Sequence, residues 1–149
     1  MAWGEAGSTT TDATGTSLTV SGLSSNDYYE FLGNSIPVGA DTFRLLNFNG
    51  DTASNYKVRS NDNGSSEGVS SAYAGVIMDQ GGSWGSNDIE FTVMYCLDIQ
   101  GEEKLIIHDA MGTVSSSAGT APRRREYASK WTGTDKITSC KITSYTGTG

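Results

Sequence analysis

Apolar and polar positions alternate most clearly between Ile89 and Met111, IEFTVMYCLDIQGEEKLIIHDAM. Here Ile89, Phe91, Val93, Tyr95 and Leu97 interleave with Glu90, Thr92, Met94, Cys96 and Asp98. A period of two predicts a β-strand, and Leu105 to Ile107 resumes it after a polar turn of Gln100, Gly101, Glu102 and Glu103, so the stretch reads as a hairpin. One face of that hairpin is apolar enough to need a second layer over it. A lone hairpin is marginal in water, which calls for further strands.

Weaker signals supply them. Trp3 to Thr11 and Ser17 to Val20 are short polar strands, and Tyr28 to Leu32 is a firmer one because aromatic residues favour the pleated conformation. Thr42 to Phe48, Tyr56 to Ser60, Tyr73 to Met78, Arg123 to Trp131 and Ile137 to Ile142 follow. Between them Asn, Asp and Gly clusters mark turns, Ser65 to Ser71 reads as polar and flexible, Asp79 to Asp88 as a Gly-rich loop, and Gly112 to Pro122 as a low-complexity loop. About ten short strands with no helical period between them predict an all-β fold, an antiparallel β-sandwich of jelly-roll type. Parallel pairing would need crossover helices, and no fixed repeat suggests a propeller. The 149 residues fit a single domain, 1–149.

Composition narrows the function. About a quarter of the residues are Ser or Thr and 19 are Gly, which suits strands joined by tight turns. A net charge of −7 argues against nucleic acid as a partner, because phosphate neutralisation needs a surplus of Lys and Arg. The amino terminus carries neither a basic nor an apolar signal segment, and no apolar run is long enough for a bilayer, so a soluble product made in the cytoplasm without membrane insertion is expected. Cys96 and Cys140 fall inside strands and read as buried thiols. With a single histidine and no CxxC spacing they make no four-ligand zinc site, and no metal or cofactor is expected.

No catalytic constellation is legible. His108 and Asp109 are adjacent in a strand and point to opposite faces, so they cannot act as a base and its orienting carboxylate. Glu102 and Glu103 sit at a hairpin tip, where two solvated carboxylates are a surface feature unless a cleft faces them. Asn47, Asn49 and Asp51, and again Asn61, Asp62 and Asn63, invite a calcium site, but their spacing fails the EF-hand pattern and turn chemistry explains them better. Four residues remain as candidates for docking or glycan contact. Trp84, alone in its Gly-rich loop, would stack on a sugar, insert into a neighbouring subunit, or close the open end of the sandwich. In the basic run Arg123, Arg124 and Arg125 the middle side chain faces opposite to the outer two; a phosphate grip is one reading, but in an acidic chain cross-subunit salt bridges or a solvated edge that discourages strand pairing between molecules are preferred.

FNGDTASNYKVRSNDNG (Phe48 to Gly64), IQGEEKLII (Ile99 to Ile107), GTAPRRREYASKW (Gly119 to Trp131) and the ITSCKI strand (Ile137 to Ile142) together resemble small β-sandwich virion proteins of tailed bacteriophages and uncultured environmental viruses. The resemblance implies a non-enzymatic structural or adhesive part of a virus particle, a capsid-decorating protein or a tail or head-fibre domain exposed to the medium. It also implies other virion proteins as partners and a homo-oligomer, with a trimer favoured. The family pattern carries a further Gly-rich turn and strand after the ITSCKI segment, so the resemblance implies either that this last strand is lost here or that a neighbouring subunit completes the sheet edge. The alternative is a carbohydrate-binding module or receptor-binding adhesin that recognises a host surface glycan, with Trp84, Trp131, Tyr28 or Tyr73 as its stacking platform.

Overall fold

The computed structural model describes residues 4–7, 17–23, 26–35, 42–65, 67–79, 89–113 and 121–146. Ten strands run in chain order: β1 Ser17–Ser21, β2 Tyr28–Ser35, β3 Thr42–Phe48, β4 Tyr56–Asp62, β5 Gly68–Tyr73, β6 Val76–Asp79, β7 Glu90–Leu97, β8 Lys104–Gly112, β9 Arg123–Trp131 and β10 Ser139–Thr146. Among the described residues there is no helix. A four-stranded sheet in the order β1-β10-β3-β6 packs on a six-stranded sheet in the order β2-β7-β8-β9-β4-β5, and the pairings within both are antiparallel. The expected all-β sandwich is therefore the fold.

The pairings nest. β4 pairs with β5, β3 with β6, β2 with β7 and β1 with β10, so the chain is one long hairpin folded on itself. Rolling it up adds the pairs β10·β3 and β9·β4, and the meander β7-β8-β9 widens one sheet. Turn chemistry holds the ends: Asn49 with Gly50, and Asn63 with Gly64, all take positive φ, which Asn and Gly tolerate better than other residues.

The core lies between the sheets around Phe48, whose ring meets Phe31 at 6.0 Å, Trp131 at 5.6 Å and Tyr56 at 6.4 Å. Leu46, Val76 and Met78 from the smaller sheet and Met94, Cys96 and Ile106 from the larger complete it. Burying such a set of large side chains supplies the main drive to fold, at roughly 25 cal/mol per Å² of apolar surface.

The structure departs from expectation in several places. The inward face of the β7–β8 hairpin is the one that looked polar: Glu90, Thr92, Met94, Cys96 and Asp98 are buried, while Ile89, Phe91 and Tyr95 are exposed. The segment read as flexible, Ser65 to Ser71, holds the first part of β5, an edge strand with a polar alternation too weak to stand out. The expected single strand Tyr73 to Met78 is two, broken by a bend at Ala74 and Gly75, where a Cβ on Gly75 would stand 2.9 Å from the Leu45 side chain. The strand carrying the arginine run is interior, held between β8 and β4, so it is no solvated edge. In the first expected strand Gly4 to Gly7 takes no regular structure, and the remainder of that stretch lies outside the described residues.

Candidate docking surface

The register across the six-stranded sheet fixes what its outward face presents. Tyr28 stands beside Leu97 and Leu105; Glu30 beside Tyr95 and Ile107; Leu32 beside Val93 and Asp109; and Phe91 beside Met111. Seven large apolar side chains stay exposed there, at 56% for Tyr28, 66% for Leu32, 42% for Phe91, 47% for Tyr95, 55% for Leu105, 62% for Ile107 and 43% for Met111. Scattered exposed apolar residues are ordinary, but a contiguous block of them marks a surface that meets something else. Tyr28, Tyr95, Leu97, Leu105 and Ile107 line an open depression of about 420 Å³ at one end of this block.

Polar groups border the block. The Glu30 carboxylate lies against the Tyr95 hydroxyl, and its charge and hydrogen bond raise the phenol above its ordinary pKa, with a smaller push from Asp109. Beyond β8 the face turns charged. Lys130 pairs with Glu103 at 2.6 Å, Arg124 approaches Glu126 at 3.4 Å, and Arg59 pairs with Glu67. All are exposed pairs of the kind that contribute little to stability.

The arginine run divides as its alternation predicts. Arg125 is buried and Arg123 half-buried, and both reach Asp62 on β4, Arg125 at 3.1 Å and Arg123 through its Nε at 2.9 Å. Those bonds, Arg123's foremost, hold the Asp62 carboxyl below its usual range. These two cations therefore tie β9 to β4 within the chain, whereas Arg124 stands on the outward face. Trp84 lies outside the described residues. Of the other proposed platform aromatics only Tyr28 is on the surface. Trp131 is buried, with its Nε1 donating to Asp51 Oδ2 at 2.7 Å, and Tyr73 packs against the core.

The Asn and Asp clusters are turn caps. Asn49 Oδ1 accepts from the backbone of Thr138 at 2.8 Å and Ser139 at 3.2 Å, Asn61 Oδ1 from Gly64 at 2.8 Å, and Asn63 Oδ1 from Arg124 at 2.9 Å. Burial alone would raise the Asp51 carboxyl, but hydrogen bonds from Trp131, Asn55 and Ala53 outweigh it and leave the pKa lowered. Donors thus engage the side-chain oxygens of Asn49, Asp51, Asn61 and Asn63. Among the described residues no three His, Cys, Asp or Glu side chains gather as a metal site.

Two ion pairs that sequence reading passed over lie inside the sandwich. Glu90 meets Arg44 of the facing sheet at 2.5 Å and accepts from Thr92 at 3.1 Å. Lys104, fully buried, lies 3.3 Å from Asp98 and donates to the carbonyls of Ile99, Glu102 and Thr134 at 2.6, 2.7 and 3.1 Å. His108 is also buried, stacked on Tyr127 with ring centroids 4.2 Å apart. Only their even-numbered parity beside Met94 and Ile106 could have flagged these positions.

No protein-family model, curated protein or solved structure matches this chain. The outward face of β2, β7 and β8 thus stands on its own physics as the candidate site.

Proposed function

We propose that this protein is a non-enzymatic structural component of a virus particle, a capsid-decorating or fibre part exposed to the medium and working as a homo-oligomer. The observation that carries the reading is the apolar outward sheet face. A chain that keeps such a block of side chains on the outside of a well-filled sandwich is shaped to be held against another surface. The nested pairing supports the finer fold name as well. A long hairpin rolled into two sheets is a jelly roll, here widened by the β8 and β9 strands, and jelly rolls recur in viral capsid and lectin domains. Fold alone does not assign function, and the patterned resemblance of the Phe48 to Gly64 and Gly119 to Trp131 segments to virion proteins is what favours the particle.

Particles purified on a density gradient from material carrying this gene, then stripped of loose protein, should yield the tryptic peptide Leu105–Arg123 at an abundance comparable to the major capsid protein. Its absence from particles, with the chain found only in the soluble fraction, would contradict the assignment. The rival reading as a carbohydrate-binding module draws on one observation: Tyr28 and Tyr95 border the apolar depression, with Glu30 as a polar neighbour. Aromatic faces beside a carboxylate suit a sugar ring, and saturable oligosaccharide binding by a monomer would favour that class.

A further inference from the structure

We propose that the occupant of the outward β2-β7-β8 face is a second copy of this same chain, the two sheets packing face to face. The proposal deepens the structural reading above by naming the partner at that surface. Size is the first argument. The seven large apolar side chains named above, each roughly half exposed, present on the order of 700 Å² of apolar surface at about 100 Å² apiece. The largest patch on an ordinary monomer is about 300–600 Å², whereas one side of a standard protein interface is about 800 Å². The face is thus large enough to be one side of a stable interface by itself.

Shape is the second argument. A β-sheet face is complementary to another β-sheet face, since two such layers pack about 10 Å apart with interdigitated side chains. The same face of another copy offers that match at the same concentration, and a self-complementary contact of this kind closes under a two-fold rotation. Charge is the third. The block is flanked by acidic groups, Glu30 and Asp109, and by basic ones, Arg124 and Lys130, so both signs lie on one face. A copy turned over the first can set one sign against the other, and the weak surface pairs that now hold Arg124 and Lys130 cost little to exchange. The net charge of −7 opposes approach at long range, so association driven by this face should hold or tighten as salt is raised.

Sedimentation velocity of the wild-type chain between roughly 1 and 100 μM should show a closed oligomer forming with concentration, at low and at high salt. Ile107→Glu, within the block beside Tyr95, should weaken that association by more than about 100-fold, because each copy would bury an unpaired carboxylate. Its circular dichroism and melting temperature should stay near those of the wild type, since Ile107 points to solvent in the single chain. Val69→Glu, on the β5 edge and away from the block, should leave association unchanged. A wild-type chain monomeric at the highest concentration, an oligomer that survives Ile107→Glu, or one abolished by Val69→Glu would each overturn the proposal. Absence of the chain from particles would remove the virion reading while leaving this result untouched.

Discussion

Lys104→Ala should cost about 3–5 kcal/mol of stability and lower the melting temperature by roughly 6–20 °C. Lys104 is fully buried, and its ammonium ties together the 99–102 turn, the 132–138 connection and the Asp98 carboxylate at one end of the sandwich. Removing it leaves Asp98 charged and buried without its counterion. Asp98 would keep the backbone N–H of Ile137, at 3.0 Å. The double replacement Lys104→Met with Asp98→Asn should recover most of the loss, because a buried ion pair contributes far less than breaking it costs. Thermal melts of the three proteins check this. Equal destabilisation of the single and double variants would mean that the lysine acts through packing and not through charge.

Acid should weaken the fold well above the range where carboxylates titrate. Burial pushes the His108 pKa down from 6.5 to about 4, and the nearby Ile77 backbone only partly offsets that. The unfolded chain therefore binds a proton at a pH where the folded one does not. The stability this contributes is complete above pH 6.5 and is lost as pH falls toward about 4, up to about 3 kcal/mol in all. Asp62 and Asp51, whose pKa values are lowered, act in the same direction but only as pH falls below 3.8, the ordinary value for Asp. The interval between pH 6.5 and 4 thus belongs mainly to His108 among these shifted groups. Urea melts should show stability declining across it in the wild type. In His108→Phe, which keeps a ring against Tyr127, the profile should be nearly flat. A wild-type profile as flat as the variant's would show that the buried imidazole takes up its proton without strain.

Most strands were legible because their period of two is a local property. Thr42 to Phe48 was read with its observed bounds, and the Ile89 to Met111 stretch forms the hairpin expected of it. Which face of that hairpin turns inward was not legible. Both faces carry apolar residues, and the inner one is chosen by groups far away in sequence: Arg44 receives Glu90, Phe48 and Leu46 share a core cluster with Cys96, and Ile77 shares one with Ala110. A carboxylate or a lysine in a strand reads as a solvent marker until its buried partner is known. The same inversion hid the candidate site, because Tyr95, Leu105 and Ile107 looked like core. The basic run was easier to read, since alternation alone separates Arg124 from Arg123 and Arg125, but only the fold could show that Asp62 receives both outer arginines.

Tyr95, Leu105 and Ile107 face outward and Cys96 inward, and the proposed interface sets a second copy over the first three. Thiol reactivity of Ile107→Cys reports on both placements at once. Burial pushes the Cys96 thiol up to about 12 and raises that of Cys140, so both should stay inert until the protein is unfolded. The new thiol should react fast in dilute solution and become protected as the protein is concentrated. Rapid reaction of Cys96 in the native protein, or a thiol at position 107 that is inert at every concentration, would contradict the account.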